Sequence, residues 1–77
     1  MEKDLIEYIA KSLVDDPSCV EVKLIDGEKS TTLELRVATK DIGKVIGKHG
    51  RIAKALRTIL QSAATRSGKR TMLEILD

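Results

Sequence analysis

Val45-Ile46-Gly47-Lys48-His49-Gly50-Arg51-Ile52 is the stretch that decides how the chain is arranged. Its two glycines enclose a lysine and a histidine, and an apolar pair precedes the first. Glycine costs backbone entropy inside a helix and permits tight turns because it lacks a Cβ. Two glycines this close predict a sharp corner between helices. The apolar spacing on either side agrees. Ile42, Val45 and Ile46 mark a short helix over 41–46, and Ile52, Leu56, Ile59, Leu60 and Ala63 form the stripe of a long one from Arg51 to about Arg66. The positive end of the second helix's dipole points out of the corner, and its unpaired N–H groups and flanking cations (Lys44, Lys48, Arg51) suit a phosphate.

Upstream of the corner the period is two. Leu33, Leu35 and Val37 alternate with Thr32, Glu34 and Arg36, which predicts a strand over 32–38. Before it, Val20, Val22 and Leu24 share one face of another strand and Glu21 and Lys23 the other. Asp26-Gly27 opens a turn, and Glu28 to Thr31 read as a polar hairpin loop, so these strands pair antiparallel. Thr39 is the expected N-cap of the short helix, with Asp41 favourable in its first turn. At the start, Leu5, Ile6, Ile9, Ala10, Leu13 and Val14 form a helical stripe over 4–14, ended by Asp15-Asp16-Pro17-Ser18. At the far end Ser67-Gly68-Lys69 stops the long helix. A last strand spans 71–76, with apolar residues on both faces that imply burial on both or a subunit contact. The order is α-β-β-α-α-β, an α+β fold, and 77 residues make one small domain over 1–77.

Composition narrows the function classes. Apolar residues are 42% of the chain, enough for one core, and charged residues 34%. A net charge of +2 is too small for indiscriminate polyanion binding, so a nucleic-acid site must be a local patch. One cysteine and one histidine form neither a disulfide nor a metal set. Cys19 has no activating partner and reads as a small, partly buried filler. With no signal-peptide core behind Glu2-Lys3-Asp4 and no membrane-length apolar run, the expectation is a cytoplasmic protein with no membrane contact. Tyr8 is the only aromatic, which excludes base-stacking platforms.

Enzymatic loops fail on spacing. A Walker loop needs four residues between its glycines and then Gly-Lys-Ser/Thr, whereas Gly43 and Gly47 enclose three and His49 follows Lys48. Gly-x-Gly-x-x-Gly is absent, and His49 has no nucleophile or carboxylate at a telling distance. No catalytic residue, metal ligand or cofactor is assigned.

Val-Ile-Gly-x-x-Gly resembles the core of KH domains, whose Gly-x-x-Gly loop clamps a nucleic-acid backbone. The run Gly47 to Arg57, with Tyr8-Ile9-Ala10-Lys11, Leu33-Glu34-Leu35-Arg36-Val37 and Leu73-Glu74-Ile75, is similar to the small bacterial single-domain KH proteins called KhpA. One position departs: a bulky aliphatic usually stands three residues after the second glycine, and here it is Ala53 beside Ile52. The resemblance implies a type II KH fold, a three-stranded mixed sheet with helices packed on one face. It implies single-stranded RNA as ligand. The expected contacts are Lys44, Gly47, Lys48, His49, Gly50, Arg51 and Lys54, with Ile42, Val45, Ile46 and Ile52 in the groove. The alanines of the long helix, with Leu56, Ile59, Leu60 and Ala63, point to a homodimer face. Similarity to KhpA also implies a heterodimer with the larger Jag-type KH protein (KhpB), and an RNA-chaperone or post-transcriptional role linked to bacterial growth and cell shape. The rival expectation is a protein-interaction subunit that needs a larger KH partner to bind RNA; the low net charge and Ala53 favour it.

Overall fold

The computed structural model describes residues 2–76, without the side chains of residue 2 and of residues 63–67. Helix α1 (Glu2–Leu13) is followed by a 3-10 turn (Pro17–Cys19) and two strands, β1 (Glu21–Asp26) and β2 (Ser30–Arg36). A second 3-10 turn (Thr39–Asp41) leads into the short helix α2 (Ile42–Ile46). The corner Lys48–Gly50, the long helix α3 (Arg51–Ser67) and strand β3 (Arg70–Leu76) complete the chain. The sheet order is β1-β2-β3, with β2 antiparallel to β1 and parallel to β3. This is the expected α+β KH topology.

The strands form where apolar and polar residues alternate, and the alternation decides which face is covered. Leu33 and Leu35 of the central strand are fully buried, opposite Leu24 and Val22 on β1 and Leu73 and Ile75 on β3. Helices supply Ile6, Ala10, Val45, Leu56 and Leu60 to the same core. Gly68, at φ 77°, ends α3 in the left-handed conformation expected of a helix stop. Lys69 then donates to the Asp26 carboxylate (2.6 Å) and to the Gly27 carbonyl (3.0 Å), tying the start of β3 to the hairpin.

Several expectations are corrected. The hairpin is tighter than the polar run 28–31 implied. Thr31 already pairs with Asp26 and donates its hydroxyl to that carboxylate at 3.0 Å, and the Gly27 amide donates to the Ser30 carbonyl at 2.8 Å. Leu24 is exposed although it shares a face with Val22, because the helical layer leaves the hairpin end of this outer strand uncovered. β3 is not buried on both faces: Thr71 and Leu73 are buried while Met72 is 41% exposed, since helices cover one side of the sheet. Thr39 makes no side-chain cap bond; it opens the 3-10 turn before α2. Cys19 is exposed rather than a filler, its thiol donating to the Asp16 carboxylate at 3.3 Å.

Leu33 tests the core. It lies at the middle of the central strand with no exposed surface. Leu33→Ala should lower the unfolding free energy by about 2–5 kcal/mol in urea titration followed by circular dichroism. A loss below about 1 kcal/mol would contradict this packing.

Candidate nucleic-acid interface

The corner is built by torsion and by what a side chain would strike. Gly47 has φ 80° and ψ 171°, a region that residues with a Cβ rarely enter. A Cβ there would stand 2.6 Å from Ile52 Cγ1 and 2.9 Å from Ile52 Cβ and Cδ1, so Ile52 fills the space that glycine leaves. Lys48–Gly50 then make one tight 3-10 turn. Within it His49 is left-handed, at φ 58° and ψ 24°, a conformation in which histidine is enriched among residues with a side chain. Gly50 is left-handed too (φ 73°), but open space surrounds it.

The hydrogen bonds of the turn define its outward chemistry. The Gly47 amide donates to the Gly43 carbonyl (2.9 Å), the Gly50 amide to Gly47 (3.1 Å), and the Arg51 amide to Lys48. The amides of Lys48 and His49 have no backbone acceptor. They sit where the 17-residue α3 begins, so the partial positive charge of its dipole reinforces them. The side chains of Lys48, His49, Arg51 and Lys54 are exposed around this point. Free donors and cations converging on an open turn are suited to hold an anion such as phosphate.

Lys44 stands apart from that group. It pairs with Asp15 and, at 3.4 Å, with Asp41. The Asp15 carboxylate, aided by Asp41, outweighs partial burial and holds the Lys44 ammonium above its usual pKa. Asp41 is the residue that sequence reasoning undervalued. It is fully buried, and its two carboxylate oxygens accept the amides of Asp15 (3.3 Å) and Asp16 (3.1 Å). Burial pushes its pKa up, but the Asp16 and Asp15 amides and Lys44 outweigh this and hold it below the usual carboxylate range.

The expected groove residues divide. Val45 is fully buried in the core, whereas Ile46 and Ile52 are half-buried beside the corner and Ile42 is half-buried at the far end of α2. Ala53 is buried, and its neighbour Ile52 packs over Gly47. Of the expected dimer contacts, Leu56 and Leu60 lie in the chain's own core and Ile59 is 41% exposed; the side chain of Ala63 lies outside the described residues. Arg57 and Gln61, one turn apart on α3, reach the outer strand. Arg57 Nη2 donates to the Leu73 carbonyl (3.4 Å) and Gln61 Nε2 to that of Thr71 (3.1 Å). Among the described residues no group of His, Cys, Asp and Glu could hold a metal ion, and no helix is long and apolar enough to cross a membrane.

Residues 3–75 match the family KhpA/KhpB, KH domain. RNA-binding protein KhpA of Borreliella burgdorferi is 55% identical over 76 residues, 99% of this chain and 93% of that protein. The protein of the same name from Clostridium acetobutylicum is 57% identical over 96% of this chain and 99% of its own length. That of Treponema pallidum is 57% identical over 100% of this chain and 96% of its own length. Among solved structures, Era in complex with MgGDPNP and nucleotides 1506–1542 of 16S ribosomal RNA superposes with a TM-score of 0.62 at 20% identity. An Aquifex aeolicus Era variant bound to GDP and aluminium fluoride gives 0.64, also at 20% identity. Each likeness covers 97% of this chain but 29% of the Era chain, and it concerns the fold alone.

The two glycines of the corner differ in what they tolerate. Gly47→Ala meets both the torsional penalty and Ile52, whereas Gly50→Ala meets the torsion alone. Gly47→Ala should destabilise by about 1–3 kcal/mol or more, and by more than Gly50→Ala, in parallel urea titrations. Equal losses in the two variants would mean that Ile52 does not enforce the glycine.

Proposed function

The chain belongs to the KhpA/KhpB family of KH domains, which binds RNA and is not enzymatic, and on that premise we propose that it grips short single-stranded RNA at the Gly47–Gly50 corner. The observation that carries this reading is the pair of free amides, at Lys48 and His49, on an open turn ringed by exposed Lys48, His49, Arg51 and Lys54. One backbone phosphate sits on those amides at the head of α3. Lys48 and Arg51 neutralise it and its neighbour, and Lys54 extends the charge along the helix. The absent Cβ of Gly50, which faces open space, lets the ribose-phosphate backbone come close. Bases of about four nucleotides then lie against the half-buried Ile42, Ile46 and Ile52. Lys44 contributes as part of the carboxylate network behind the loop.

In this reading the protein is a cytoplasmic RNA chaperone or post-transcriptional regulator. One four-nucleotide site binds weakly, and pairing two copies raises the effective concentration of the second site. Ile59, exposed on α3, is the apolar contact of that homodimer. A larger KH protein of the KhpB type takes the same face in a heterodimer. A second reading, a protein-interaction subunit that acquires RNA only with its partner, is favoured by the net charge of +2.

Fluorescence anisotropy with short single-stranded RNA separates these readings. The Lys48→Asp, His49→Asp double variant should remain folded and lose at least about tenfold in affinity, the equivalent of one charge-assisted contact. With two or three phosphates neutralised, the log–log salt slope of the unsubstituted protein should be about −1.5 to −2. Equal binding by both proteins, or none by the unsubstituted one, would move the weight to the interaction-subunit reading. For the homodimer, sedimentation equilibrium across micromolar concentrations should give a concentration-dependent mass that Ile59→Asp abolishes; a monomer throughout would overturn it.

A further inference from the structure

A buried aspartate stands at the other end of α2 from the glycine corner. α2 is five residues long, too short to hold itself in water. Its placement therefore comes from what it touches. Val45 anchors one side of it in the core. The other anchor is polar. Asp41 lies at the N-terminal boundary of α2, yet its carboxylate makes no cap bond to its own helix. Instead Oδ1 accepts the Asp15 amide and Oδ2 the Asp16 amide, in the link that leaves α1. One turn along α2, Lys44 spans back to Asp41 and across to Asp15. No buried side-chain nitrogen or oxygen among the described residues lacks a partner, so the network is complete.

We propose that Asp41 is a positioning residue for the RNA-binding corner: by clamping α2 to the α1–β1 link, it fixes where the Lys48 and His49 amides point. The proposal rests on the RNA-binding reading above and assigns it a residue that never touches the ligand. The clamp joins segments 25 and 26 residues apart, so α2 cannot pivot without breaking two hydrogen bonds to a buried charge. The Gly47 amide is bonded to Gly43 inside α2, so the corner follows α2 as it moves. A binding constellation tolerates displacements of only about 0.5 Å before contacts are lost. A neutral amide at position 41 could accept from one of the two backbone donors but would oppose the other, and would lose the charge that pairs with Lys44.

The test compares the unsubstituted chain with Asp41→Asn and with Leu33→Val, a core change in β2 that loosens the fold without altering the clamp. Two measurements are made at a temperature where all three are folded by circular dichroism. One is the backbone amide NMR shifts of residues 47–51 without RNA; the other is anisotropy with a single-stranded RNA oligonucleotide. The expected result is displaced corner amides and about tenfold weaker RNA binding in Asp41→Asn alone. If Asp41→Asn does not fold, Asp41→Glu replaces it, keeping the charge on a longer arm; the same displacement and a smaller loss are expected. Unmoved corner amides, or affinity no weaker than that of Leu33→Val, would overturn the proposal. Displaced amides in a protein whose unsubstituted form binds no RNA would uphold the clamp and overturn the RNA-binding reading instead.

Discussion

Residue 47 can have no side chain, and much of the molecule follows from that. At φ 80° the backbone turns from α2 into the Lys48–Gly50 corner in a single step, and Ile52 moves into the volume a Cβ would take. Because Ile52 closes over Gly47, the start of α3 is locked against the end of α2. The corner cannot open without exposing that apolar contact. The same turn leaves the Lys48 and His49 amides with no backbone acceptor. A steric demand on one glycine thus produces both a sharp turn and two amides without a backbone acceptor.

Several cations away from the corner are matched by nearby carboxylates. Lys44 is matched by Asp15 and Asp41, Lys69 by Asp26 and Lys11 by Glu7. Across the open face of the sheet Glu21 stands opposite Arg36 and Lys23 opposite Glu34. With a net charge of only +2, and surface charges screened beyond about 8 Å at physiological ionic strength, a phosphate is drawn by its immediate surroundings. Around the corner those surroundings are Lys48, His49, Arg51, Lys54 and the head of α3.

The local parts of this arrangement were legible in the sequence. Alternation in Leu33-Glu34-Leu35-Arg36-Val37 marked the central strand, three- and four-residue spacing marked the helices, and Gly47 and Gly50 marked the corner. What escaped were contacts between segments distant in sequence. Asp41 read as a first-turn charge because its real partners, the amides of Asp15 and Asp16, lie 26 and 25 residues away. Lys44 read as a free cation for the same reason. The residues 71–76, which implied burial on both faces or a subunit contact, are covered by helices on one side only, which apolar content does not reveal. Leu60 and Ile59 looked like surplus apolar surface on α3, yet Leu60 is buried in the chain's own core and only Ile59 is exposed.

In the proposed mode of binding, RNA is held by the corner's backbone. A backbone amide NMR titration with a single-stranded RNA tetranucleotide tests it most directly. The largest shifts are expected at the amides of Gly47 to Arg51, above all Lys48 and His49, with smaller ones at Ile42, Ile46 and Ile52. Shifts centred on the open sheet face, at Lys23, Glu34, Arg36 and Met72, with the corner unmoved, would contradict it.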